Sequence, residues 1–161
     1  MFSVSENSLG AASSQAAVSG ETAFALEAAH ARLLTEVGFL AAGRGDVARA
    51  DVIFGALRLW RPGQAYPWLG LAVARLNAGK ADEAVTILEQ AHCADAEDAA
   101  LLDAWRGLAL QLAGCCVQSR LLLEKVAEGE GPGPRLARSL LGLPVDPDAL
   151  DGESSTDSIR S

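Results

Sequence analysis

The chain has 161 residues, half of them hydrophobic, and 21 acidic side chains against 13 basic ones. That suits one domain with an apolar core plus tails, while the formal charge of −8 and a pI near 4.7 exclude a protein that gains affinity from cations clustered on nucleic-acid phosphates. Aromatics make up only 5%, and Ala and Leu dominate, so the composition favours closely packed helices over strands.

Residues 1–19 mix Ser, Ala, Gly, Asn and Gln with few large apolar side chains, too little burial to offset an ordering cost of roughly 1–2 kcal/mol per residue. Disorder is expected there. The start, Met1-Phe2-Ser3-Val4-Ser5-Glu6, lacks the basic residues and apolar run of a secretory signal, and no later stretch reaches the roughly 18 apolar residues of a membrane span. A soluble, cytoplasmic protein without membrane insertion is the expectation. Ser19 is placed to cap a helix with Glu21 in its first turn, and Phe24, Ala28, Ala31, Leu34, Val37 and Ala41 follow at steps of three or four along one face.

Gly43-Arg44-Gly45 ends that helix, and Asp46 is positioned to cap a second one burying Val47, Ala50, Ile53, Phe54 and Leu57. Arg61-Pro62-Gly63 closes the pair, because proline blocks helix continuation. The next pair opens at Tyr66-Pro67-Trp68, turns at Ala78-Gly79-Lys80, and resumes with Asp82 and Glu83 at the positive helix end. A third, less regular pair runs from about residue 100 to 133, with Gly107 where a small residue is needed, a turn at Gly114, and Ser119, Leu123 and Val126 on its second helix. Glycines and prolines over 129–134 break the chain before a short helix expected at 135–143. The acidic tail of 144–161 is expected to be disordered. It supplies half the net charge through Asp146, Asp148, Asp151, Glu153 and Asp157 against Arg160.

Residues 31–98 therefore hold two consecutive 34-residue units with matching offsets: Leu34, Val37, Gly38, Ala50, Phe54, Leu57 and Pro62, then Trp68, Leu71, Ala72, Ala84, Leu88 and Ala91. This resembles the tetratricopeptide repeat (TPR). The resemblance implies an all-α fold: three TPR-like hairpins, about 31–64, 65–98 and 100–133, in a short right-handed solenoid within a domain of 20–143. The short C-terminal helix would cover the last hairpin, as repeat arrays require. In that family Gly38 faces Ala50, and the first helix of each hairpin lines a concave groove. Carried over by phase, the groove positions are Arg32, Thr35, Phe39, Ala42 and Gly43, then Tyr66, Leu69, Val73, Leu76 and Asn77, then Leu101, Ala104, Leu108, Gln111 and Leu112. They are largely apolar, which disfavours a clamp for acidic peptide termini and implies a groove for a hydrophobic helical or extended partner segment. Cover by the N-terminal helix or a second copy of the chain would suit the same residues. Arg75 departs from the family, which has Tyr or Leu there, so its guanidinium snorkels, pairs with an acid or marks a slip in phase.

Size, acidity and element order also resemble the small TPR chaperones of bacterial type III secretion. That resemblance implies a non-enzymatic chaperone for a translocator or needle subunit. The alternative is a structural or assembly component of the same apparatus, such as the TPR-like proteins of Hrp-type secretion clusters.

Chemistry finds little support in the sequence. His30 and His92 lack a metal-site spacing of neighbours, and His92 and Cys93 point about 100° apart on a helix. No phosphate-cradling glycine motif occurs. Cys93, Cys115 and Cys116 fit neither a disulfide framework nor a zinc site, although the vicinal pair would be redox-active if exposed. No catalytic residue, metal or cofactor is expected.

Overall fold

The computed structural model describes residues 27–144, and every described element is helical. The helices are α1 (residues 27–43), α2 (Val47–Trp60), α3 (Ala65–Asn77), α4 (Ala81–Glu89), α5 (Ala96–Leu112), α6 (Cys116–Ala127) and α7 (Pro132–Leu141). The expected all-α class is correct. The Ser19 cap, the disordered start and the acidic tail beyond Pro144 fall outside the described residues.

Local chemistry sets the helix ends. Asp46 accepts a hydrogen bond from the Arg49 amide at 3.2 Å, and Asp95 accepts from Glu97 and Asp98 at 3.0 and 3.1 Å, so two carboxylates satisfy amides that have no partner within their helix. Asp82 and Glu83 occupy the first turn of α4, as expected. Between α1 and α2 the chain reverses through Gly45, at φ +67°, with the Asn77 carbonyl 3.1 Å from where a Cβ would lie. Any side chain there meets both strain and backbone. The last helix starts three residues earlier than expected. Pro132 opens α7 because the first turn needs no amide donor from it and its ring already holds a helical φ.

Three clusters form the core. The first joins Ala31, Ala42, Ala50, Phe54, Leu57, Leu71 and Ala74; the second joins Ala65, Ala72, Ala84, Leu88, Leu102 and Ala109; the third joins Ala104, Leu123, Val126, Ala127 and Ala137. Alanine is frequent because the helix backbones lie close, and the bulky members fill what it leaves open. Phe54 is the clearest case, since a Cβ on Gly38 would come within 2.8 Å of its ring and one on Gly70 within 2.2 Å. The ring thus sits between two glycines of different helices. The family geometry puts Gly38 opposite Ala50; the atoms nearest to where its Cβ would lie belong to Phe54 and Ile53, the absent side chain leaving a slot for the ring. Leu123 fills the equivalent slot at Gly107, where a Cβ would approach it to 2.4 Å. Ser119, fully buried, donates its hydroxyl to the Gly107 carbonyl at 2.7 Å.

Each helix packs on the next, and the first member of one pair also meets the first member of the following pair, α3 against α5 and α5 against α7. Arg75 fastens the first junction. Its side chain, 13% exposed, reaches from α3 to both carboxylate oxygens of Asp51 on α2, through Nη1 to Oδ1 and through Nη2 to Oδ2 at 2.9 Å. Its Nε, buried without a hydrogen bond, lies 3.7 Å from Glu83 on α4. Of the readings open for Arg75, pairing with an acid is the one the structure adopts.

Candidate functional site

On α1 the ring of Phe39 is half-buried, with its centroid 5.0 Å from that of Phe54 and its plane turned 67° in an edge contact. With Thr35, Glu36 and Leu40 it lines an open cavity of 520 Å³. The polar neighbours are occupied: Arg32 pairs with Glu36 at 3.0 Å, and the Thr35 hydroxyl donates to the Ala31 carbonyl at 2.7 Å. Apolar surface is what this part of α1 offers to a ligand.

On α3, Tyr66, Leu69, Val73 and Leu76 recur at helical spacing and are all half-buried. Tyr66, Val73 and Phe39 rest against the core around Phe54; Leu69 and Leu76 rest against the core around Leu88, with Trp105 of α5. Asn77 is exposed as a residue, but its amide donates to the Ala42 carbonyl at 3.0 Å and so ties α3 to the end of α1. On α5, Leu101 and Leu108 are half-buried and Leu112 is 62% exposed. The family carry-over needs one correction: Ala42 and Ala104 are fully buried, each locked into a core cluster, and have no surface to give a partner.

Comparisons with protein-family models, with curated proteins and with solved structures find no match. The reading of the site therefore rests on its own residues.

Among the described residues, no group of three or more His, Cys, Asp and Glu side chains is arranged to hold a metal ion. His30 and His92 are exposed. Cys93 lies half-buried near Asp98, Asp95 and Asp103; burial, then those negative charges, push its thiol pKa upward, away from the reactive thiolate. Cys115 and Cys116 are both exposed, Cys115 capping α6 without a side-chain hydrogen bond. No described helix is long and apolar enough to cross a membrane.

Two surfaces escaped the sequence reading. One is a cavity of 630 Å³ between α5, α6 and α7, with Ala100, Val126 and Pro134 in its wall and Glu97, Asp103, Lys125 and Glu130 among its charged lining. It joins segments that no local pattern connects. The other is a row of exposed apolar side chains on α1, Leu33, Val37 and Leu40, of which the sequence reading named Val37 alone, on one face with Ala31, Leu34 and Ala41.

Proposed function

We propose that this protein is a non-enzymatic, TPR-like array of helix pairs that holds an apolar helical or extended segment of another protein. In its most specific form it is a type III secretion chaperone keeping a translocator or needle subunit soluble before export. One observation carries the reading. The first helices α1, α3 and α5 carry a series of half-buried apolar side chains, Phe39, Tyr66, Leu69, Val73 and Leu108, the first four with a base against the core and a remaining surface facing water. Such side chains can be buried further by a ligand without refolding, and each well-covered Leu-sized anchor contributes about 1.5–3 kcal/mol before ordering costs. The repeat reading is supported by the pairs Gly38 with Phe54, Ala72 with Leu88 and Gly107 with Leu123, which share one spacing and place a small residue against a bulky one each time.

Co-expression tests this. The full chain, produced together with exported subunits encoded beside it, is expected to raise the soluble yield of one of them and to co-purify with it. If every such subunit stays as insoluble as when produced alone, the chaperone reading fails.

A further inference from the structure

The packing of α3 on α2 provides a template for reading α1. Three side chains of α3 look back at the preceding helix: the Trp68 ring lies with its centroid 4.2 Å from the Arg58 guanidinium carbon, Leu71 is buried with Phe54 and Leu57, and Arg75 grips Asp51. One repeat length earlier, the corresponding positions of α1 are Leu34, Val37 and Ala41, flanked by Leu33 and Leu40. Leu33 is 58% exposed, Leu34 39%, Val37 43% and Leu40 63%, whereas Ala41, the counterpart of Arg75, is buried, as are Ala31, Gly38 and Ala42. Among the described residues, nothing covers Leu34 and Val37 as α2 covers Trp68 and Leu71.

We propose that this face of α1 seats the chain's own segment before Glu27. Length and attachment favour it. The helix α2 and its connection to α3 together occupy residues 47–64. With the sequence assigning the stretch after Ser19 to the same helix as α1, residues 1–19 still match that length while joining on the N-terminal side, as the α2–α3 connection joins α3. By themselves these residues bury too little to order, but the stripe supplies the apolar surface they lack: Phe2, Val4, Leu9 and Val18 are spread among Ala and Ser, with only Glu6 and Glu21 charged. A second copy competes poorly, because a short tether holds its segment at an effective concentration of order millimolar, while two copies each carrying −8 repel. Covering the stripe also closes the open end of the array, the place where repeat proteins otherwise self-associate. The inference stands apart from the groove reading and is tested without a partner.

The test uses the purified full chain with photoreactive benzoylphenylalanine replacing Val37, or Leu33 as a second site, and the same probe replacing Arg32 as the control. Arg32 is as close to the tether as Leu33 and closer than Val37 but points to another side of α1, with its side chain 84% exposed. After irradiation, peptide mapping is expected to place intrachain crosslinks from Val37 and Leu33 within residues 1–22, at several-fold higher yield than from Arg32 and unchanged on dilution. Equal yields from all three sites would show a bare stripe and overturn the proposal. Crosslinked dimers whose share grows with protein concentration would make a second copy the occupant and overturn it as well.

Discussion

Phe54 shows most directly how single residues set the geometry, because two glycines on different helices exist to make room for one ring. Gly70→Ala drives a methyl carbon to 2.2 Å from that ring, and such overpacking is expected to cost about 1–3 kcal/mol in a urea titration. Gly55→Ala is the contrast. It sits inside α2 with nothing within 4 Å of its Cβ position, and it is expected to stabilise by about 0.5–1 kcal/mol by removing backbone freedom from the unfolded chain. The cysteines separate in the same way. With its pKa raised, the Cys93 thiol holds less thiolate at any pH below that pKa, so iodoacetamide is expected to label Cys115 and Cys116 ahead of Cys93 at neutral pH. The lag should shrink as pH rises and Cys93 ionises, which peptide mass spectrometry of timed samples would follow.

Between elements, Arg75 turns a departure from the repeat pattern into a clasp across α2, α3 and α4. Its partners are unequal in burial, since the Asp51 and Glu83 side chains are 42% and 51% exposed. Asp51→Ala leaves a buried guanidinium without its bidentate acceptor and is expected to destabilise by about 2 kcal/mol. Arg75→Met leaves only carboxylates that water can reach, while an apolar chain fills the slot, so its cost should stay within about 1 kcal/mol. Denaturant midpoints of the two variants check that order. The elements themselves were largely legible in sequence, because Asp46, Gly45, Gly79 and Gly114 are local signals acting on their own turns. What escaped was the partnership of side chains distant in sequence. Nothing near Arg75 names Asp51, and nothing near Gly70 names Phe54. Even the start of α7 was misplaced, since Pro132 both ends one segment and opens the next. On α1, Leu34 and Val37 share a face with the buried Ala31 and Ala41 yet are themselves exposed, because periodicity gives a direction and does not say what lies in it.

At the scale of the whole molecule, helix pairs stack so that each is fixed to its neighbours by a core of alanines and a few large side chains, and the first helices keep apolar surface in reserve. A partner segment laid along α1, α3 and α5 would meet Phe39, Tyr66, Leu69, Val73 and Leu108, with Arg32 paired to Glu36 and the Asn77 amide bonded to Ala42. Hydrophobic contact would then set the affinity, and added salt should weaken binding little. The most direct measurement is the affinity of a co-purified partner for Leu69→Asp and Leu108→Asp variants of the full chain, read by calorimetry beside far-ultraviolet circular dichroism. The account predicts a loss of at least about 10-fold for each variant at unchanged helicity, the equivalent of one Leu-sized anchor. Unaltered affinity in both folded variants would contradict it.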